Sequence, residues 1–269
     1  MNRLFRKVAE RILLMPSVKR QFLKAGVFYK MYPLEALPDN DFRAADTRRS
    51  DAVPNLEVGN IVSLQDSDAK ALETIAQRVQ REGVLITEVG SWTGKSTSIL
   101  AKTVATCHGT VFAVDHWRGN VGVWNYDITK AYDIYSIFRR NMIWLGLWDI
   151  VHPLVMDSQM ASRIFADGIL DLVFIDGDHR HEYIKKDIVS WLPKLKDGGI
   201  LSGHDCEGYY TQYPEEVRRT INEHLGDDYI SGLCHPGVVR ALYDCFQDKH
   251  LIMPDSVIWY YVKQAEDGK

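Results

Sequence analysis

The sequence predicts an α/β fold: a doubly wound, mostly parallel sheet with an antiparallel hairpin at its C-terminal end, preceded by an N-terminal helical extension. Three observations carry this. Short β-rich apolar runs alternate with helical stretches from residue 66 onward, the pattern of a parallel sheet covered on both faces. A glycine-rich turn follows the first of these runs directly. Two further β-rich runs sit back to back near the end of the chain.

The elements follow in order. Asp66-Ser67-Asp68 can cap a helix running through Leu72, Ile75, Ala76 and Val79. Val84–Val89 is the first strand, and the turn after it leads into a helix from Ser96 to Val104. Thr110–Val114 is the second strand. Ile150–Val155 is the third, and its Pro153 predicts an edge or a bend. Asp171–Ile175 is the fourth. A helix is expected from His181 to Leu195, with Pro193 near its end, and Gly199–Ser202 is the fifth strand. Leu251–Ser256 and Val257–Val262 read as an antiparallel hairpin. Pro33, Pro38 and Pro54 punctuate a charged stretch over residues 32–60, which reads as an irregular connector. The main domain is therefore expected over residues 61–269, with residues 1–60 as extension and connector.

Composition narrows the function. The chain of 269 residues is 46% hydrophobic and 25% charged, as in a globular enzyme. Its formal net charge of −4 supplies no global basic field, so nucleic acid is not an expected partner. Cys107, Cys206, Cys234 and Cys245 form no C-x-x-C pair and read as reduced thiols of a cytoplasmic protein. No apolar run is long enough for a transmembrane helix. Residues 1–24 carry Arg3, Arg6, Lys7, Arg11, Lys19, Arg20 and Lys24 against Glu10 alone, with Leu4, Phe5, Val8, Ile12 and Leu13 at helical spacing. Charges interrupt that stretch, which argues against a secretion signal. It reads as a helix packed on the domain or on a second subunit of a homo-oligomer, or as a basic amphipathic helix making peripheral contact with a membrane.

Three ligand classes compete for the turn after the first strand. A phosphate-cradling loop of the form G-x-x-x-x-G-K-[ST] is one residue too long for Gly90 to Gly94-Lys95-Ser96. A dinucleotide motif G-x-G-x-x-G would place its second glycine where Trp92 stands. What remains is an acid followed by spaced glycines, Glu88-x-Gly90-x-x-x-Gly94, with a second acid, Asp115, at the end of the second strand. A carboxylate there can accept both hydroxyls of a ribose.

The run from Glu88 to Asp115 resembles motif I and the following acid of class I S-adenosylmethionine-dependent methyltransferases. Val173-Phe174-Ile175-Asp176-Gly177-Asp178-His179 and Gly198-Gly199-Ile200-Leu201-Ser202-Gly203-His204-Asp205 resemble a subgroup with the pattern F-I-D-G-D-H followed by L-K-x-G-G-x-L-x-G-H-D. That subgroup is related to the macrolide-sugar O-methyltransferases, the cephalosporin hydroxylase-like proteins and catechol O-methyltransferase. The resemblance covers roughly residues 80–262; Trp92 departs from the general motif, and the first 60 residues match nothing in it. It implies a Rossmann-like seven-stranded sheet with S-adenosyl-L-methionine across the carboxyl ends of the strands. Glu88, Gly90, Ser91, Trp92, Gly94 and Ser96 would form the cofactor loop, with Gly90, Ser91 and Trp92 beside the methionine part. Asp115 would hold the ribose. Asp157, Ser158 and His116 would surround the adenine, and Trp117 would pack near it or in the core.

Methyl transfer is an in-line displacement, so the acceptor must be aligned and made nucleophilic. A general base does this, or a divalent cation that lowers a hydroxyl's pKa. The resemblance implies His179 as the base and Asp176 as a catalytic acid that also binds metal and cofactor. Asp176, His204 and Asp205 are the expected ligands of Mg²⁺ or another divalent cation; the histidine favours softer ions. Residues 117–135 and Tyr209, Tyr210 and Tyr213 are expected to cover the strand ends as an aromatic lid. His235-Pro236-Gly237 reads as the structural start of a helix. The expectation is an O-methyltransferase for a small-molecule hydroxyl, on a sugar or a secondary metabolite. The alternatives are a P-loop-like ATP-binding protein and a non-catalytic adenosyl-binding module.

Overall fold

The computed structural model describes residues 64–265. The N-terminal extension and connector, with their expected membrane or subunit contacts, lie outside the described residues. Among those residues no helix is long and apolar enough to cross a membrane.

Fifteen elements matter for the site. They are α1 (Asp66–Arg78), β1 (Leu85–Val89), α2 (Lys95–Val104), β2 (Thr110–Asp115), α3 (Trp124–Ala131), α4 (Ile134–Trp144), β3 (Val151–Val155), α5 (Ser158–Ser162), β4 (Leu170–Ile175), α6 (His181–Trp191), β5 (Leu195–Gly203), α7 (Glu215–Glu223), α8 (Pro236–Phe246), β6 (Leu251–Ile252) and β7 (Trp259–Val262). The seven strands form one sheet in the order β3-β2-β1-β4-β5-β7-β6. The first five are parallel. β7 runs antiparallel to β5, and β6 antiparallel to β7. The chain builds outward from β1 to β3, then returns to the other side of β1 with β4. Such a reversal leaves a crevice at the carboxyl ends of β1 and β4.

The central strands are apolar almost throughout because both faces are covered: β4 is buried along its whole length. Trp191, Trp259, Phe138 and Phe174 are the largest side chains fully withdrawn from water. Pro153 lies on the edge strand β3, opposite Ala113, where a missing N–H costs no ladder bond on the open side. The register carries functional weight. Val89 stands level with Val114 and Ile175, and Ile175 with Gly203. The next residues, Gly90, Asp115, Asp176 and His204, therefore lie at one level along the strand ends.

Four local expectations need correction. The N-cap of α1 is Gln65, not one of Asp66–Asp68; Asp68 instead accepts from the Gln65 backbone, and also from the Val257 N–H. α6 ends at Trp191, because Pro193 is accommodated in a 3₁₀ turn over Leu192–Lys194. The hairpin strands shrink to two and four residues around a turn that holds Pro254 and Asp255, the latter at φ +56°. The connection over 117–135 contains α3 and the start of α4.

Candidate functional site

The loop after β1 is shaped by two glycines and one buried acid. Gly90 has φ +88°, and a Cβ on it would fall 1.9 Å from the Asp176 carbonyl oxygen. No other residue fits where β1 and β4 come this close. Gly94, at φ +93°, caps α2 against Met142 and Phe138. Trp92 also lies in the left-handed region, at φ +44°. Its backbone N–H donates to Asp115 Oδ2 at 2.9 Å, and the Trp117 N–H donates to Asp115 Oδ1 at 2.6 Å. Trp117 Nε1 closes the frame by donating to the Trp92 carbonyl at 2.7 Å. Trp117 is thus buried core, while Asp115 ties the loop to β2 and still lines the cleft. Burial raises the Asp115 carboxyl against the pull of those N–H groups.

Glu88 lies beneath the loop and does not line the cleft. It is fully buried, accepts a hydrogen bond from the Thr97 hydroxyl, and has Ser96 and Ser91 beside it. Burial pushes its carboxyl up to about 7. Its position suits holding the loop from below rather than touching a ligand. Lys95 Nζ donates to the Leu64 carbonyl.

The cleft itself has a volume of 620 Å³ and runs along the strand ends. One end is walled by Met156, Asp157, Ser158 and His116. Asp157 caps α5, accepting from the Met160 N–H at 3.1 Å. His116 is partly exposed, and its Nδ1 accepts from the Arg118 N–H. Gly119, Asn120, Val123 and Asn125 from the long connection line the cleft, so that segment lies where expected, but these lining residues are not aromatic. The second expected aromatic cover is a correction: Tyr210 packs into a separate apolar cluster with Ile221, Cys234 and Val239, and Tyr213 lies against it.

The other end holds a cluster of acids and histidines. Asp176 follows β4, and His204-Asp205 follows β5. Asp205 sits in the left-handed region, at φ +65°. His179 Nε2 is 3.0 Å from Asp205 Oδ2 and 3.7 Å from Asp176 Oδ1; its Nδ1 is 3.0 Å from Asp228. His204 Nδ1 is 3.0 Å from Asp205 Oδ1 and 4.0 Å from Asp176. On the far side of that ring, Nε2 is 3.4 Å from Asp68, in contact without hydrogen-bond alignment. His235 caps α8; its Nδ1 is 2.6 Å from Glu207 and 3.5 Å from Asp205. Asp178 is occupied by the Arg180 guanidinium and backbone.

Burial opposes charge on each of these groups, but their partners outweigh it. Asp205, Asp176 and Asp228 raise His179 well above the ordinary imidazole value, against the desolvation that would lower it. His204 is raised in the same way by Asp205 and Asp68. Asp205, which burial alone would raise, is held well below the usual carboxylate range by His179 and His204. Held between these carboxylates, the His179 ring favours its protonated form in the free chain.

Two ligand triads share Asp205. Asp176, His204 and Asp205 form one, and His179, Asp205 and His235 the other; within each, one ligand atom per residue lies within 4.8 Å of the others. The residues fit a divalent cation. Asp68, Asp176, Asp205, Glu207 and Asp228 face only three histidines, so positive charge is in deficit. The mixed nitrogen and oxygen donors suit Mn²⁺, Fe²⁺ or Zn²⁺ better than Mg²⁺.

The sequence reading brought Asp176, His179, His204 and Asp205 together but missed Asp68, Glu207, Asp228 and His235. Asp228 lies 49 residues beyond the histidine it contacts, in a turn with no motif. His235 was read as a helix start and is one, yet the same position delivers its ring to Asp205. The one local signal was Gly237: a Cβ there would fall 2.2 Å from the His179 carbonyl oxygen, so this helix end is pressed against the His179 loop.

Residues 87–206 match a family described as a methyltransferase domain. A Sinorhizobium fredii protein of uncharacterised function, y4gI, is 25% identical over 126 residues; the match covers 45% of this chain, and the chain spans 13% of the length of that relative. Among solved structures, the O-methyltransferase from Bacillus cereus in complex with SAH superposes with a TM-score of 0.51 at 17% identity, covering 94% of this chain and 100% of that one. A Staphylococcus aureus protein put forward as a caffeoyl-CoA O-methyltransferase gives 0.51 at 13% identity, covering 84% and 100%. At these identities the structures show the fold. Together with the matched domain they bear out the resemblance to class I methyltransferases and the Rossmann-like sheet.

Proposed function

We propose that the domain from about residue 61 onward is a cytoplasmic O-methyltransferase for a hydroxyl of a small molecule, a sugar or a secondary metabolite, assisted by a divalent cation. The observation that carries this is the meeting of Asp176, His179, His204 and Asp205 at the same strand ends as the cofactor loop. S-Adenosyl-L-methionine would supply an electrophilic methyl group. Gly90, Ser91 and Trp92 would hold its amino-acid part, Asp115 its ribose hydroxyls, and Asp157, Ser158 and His116 its base. Glu88, Gly94 and Ser96 shape the loop.

Asp176, His204 and Asp205 would hold the cation, which would supply Lewis acidity toward the acceptor hydroxyl. His179 is the proton acceptor. Its Nδ1 is anchored by Asp228, so Nε2 faces Asp205 and the cleft. A cation held by these residues would offset the carboxylates that favour the protonated ring, and His179 Nε2 would then accept the hydroxyl proton. Gly119, Asn120 and Asn125 offer a polar wall against the acceptor.

Calorimetric titration with S-adenosylmethionine, S-adenosylhomocysteine and ATP, before and after EDTA, tests the cofactor half beside an Asp115→Ala variant. Micromolar binding of both adenosyl ligands, lost in the variant, is expected. Binding of ATP alone would return Gly94-Lys95-Ser96 to the centre. Turnover on a panel of sugar and phenolic hydroxyls, abolished by His179→Ala, tests the chemistry; tight adenosyl binding with no turnover on any acceptor would leave a non-catalytic module.

A further inference from the structure

Asp187 on α6 is a buried carboxylate with no part in the chemistry above. It is 3% exposed, yet it lines the cleft at the end walled by α5. Its Oδ1 accepts from the Ser158 hydroxyl at 2.5 Å and from Gln159 Nε2 at 2.7 Å. The Ser158 hydroxyl in turn accepts from Trp191 Nε1 at 2.8 Å. These bonds form a closed chain: indole to hydroxyl to carboxylate, and amide to carboxylate.

Two consequences follow from donor and acceptor identities alone. The Ser158 hydroxyl has its proton committed to Asp187 and is not available to donate to a ligand. Gln159 has its NH₂ committed to the same oxygen, so its amide cannot flip. A carboxylate accepts and does not donate, and burial pushes Asp187 up to about 6, so above that pH the arrangement is fixed. Gln159 Oε1 carries no hydrogen bond among the described residues, and Gln159 lines the cleft.

We propose that Asp187 is a positioning residue that makes this end of the cleft selective for a 6-amino purine over a 6-oxo purine, by locking Gln159 with its carbonyl oxygen presented to the base. The proposal rests on the reading that the adenosyl cofactor lies with its base beside Asp157 and Ser158. A 6-amino group donates to Oε1. A 6-oxo group sets one acceptor against another, which a site that cannot flip its amide has no means to relieve.

The test is the ratio of dissociation constants for S-adenosylhomocysteine and its deaminated 6-oxo analogue, S-inosylhomocysteine, measured by calorimetry on the full chain. The wild type is expected to favour the adenosyl ligand by about 30-fold. Asp187→Asn keeps an oxygen that accepts both donors and should keep the ratio. Asp187→Leu frees the amide and should bring the ratio below about fivefold. Gln159→Leu, at a half-exposed position, reads the same loss should the buried Leu variant not fold. A merely structural role for Asp187 would lower the melting temperature and leave the ratio alone. A wild-type ratio near one, a wild-type ratio retained in a folded Asp187→Leu protein, or one retained in Gln159→Leu overturns the proposal. A wild type that binds neither ligand overturns the cofactor reading and this proposal with it, an outcome distinct from strong adenosyl binding with an unchanged ratio.

Discussion

Glu88→Gln isolates the electrostatics beneath the glycine loop after β1. In the folded chain the Glu88 carboxyl is fully buried and raised from 4.5 to about 7. A group raised on folding binds its proton more tightly in the native state. Its contribution therefore favours the fold at low pH and is lost as the carboxyl ionises, between 4.5 and about 7. The displacement is worth about 3 kcal/mol, an order-of-magnitude figure. Wild-type stability should fall by roughly that amount across the window, on top of what other groups contribute. Glutamine never ionises, and its carbonyl can still accept from Thr97. Its NH₂ takes the place of Glu88 Oε1, which lacks a partner, so the variant carries a constant penalty of about 1–3 kcal/mol at every pH. Urea unfolding of both proteins from pH 5 to pH 8 gives the comparison. The variant should start less stable at pH 5 and gain on the wild type by about 2–3 kcal/mol by pH 8. Parallel curves would refute the reasoning: they would mean that the hydroxyls of Ser91, Ser96 and Thr97 solvate the ionised carboxylate well enough to cancel its burial.

Other perturbations follow from the same geometry. Gly90→Ala should abolish adenosyl-ligand binding and cost several kcal/mol, because the new methyl meets the Asp176 carbonyl; Gly168→Ala, at φ +71° with open space around it, should cost only about 1 kcal/mol in a melting experiment and leave binding intact. His204→Asp should raise affinity for Mg²⁺ relative to Mn²⁺ at least several-fold in metal titrations, since it exchanges an imidazole for a hard oxygen donor; an unchanged preference would remove His204 from the ligand set. Asp171→Ala should lower stability by about 2 kcal/mol in urea unfolding, because it strips partners from Lys196 and the Leu85 N–H, while half-exposed Arg81 rehydrates.

Most of the framework was legible in the residues themselves. Apolar runs marked all seven strands, Pro153 marked an edge, and the spacing of Glu88, Gly90 and Gly94 marked a turn that neither a phosphate loop nor a dinucleotide site explains. These are local properties: side-chain period, missing N–H groups and steric freedom act within a few residues, so a linear reading finds them. Ends of elements were less legible. Pro193 and Asp255 moved them through turns whose form depends on what the following strand pairs with.

The site divided along the same line. Asp176, His179, His204 and Asp205 stand in two short motifs at strand ends, and sheet register alone brings those ends level. Asp68, Asp187, Glu207, Asp228 and His235 come from helices and loops remote in sequence, and nothing near them in the chain announces a partner. Tyr210 shows the reverse error, an aromatic assigned to the cleft that the packing of α7 and α8 draws into its own cluster. The sequence by itself determined the strands, the mostly parallel sheet and the glycine turn proposed to meet the cofactor. Only the tertiary structure decided which buried carboxylates face which imidazoles, and hence their charge states. Those states depend on distances of 3–4 Å between groups that only the folded chain brings together.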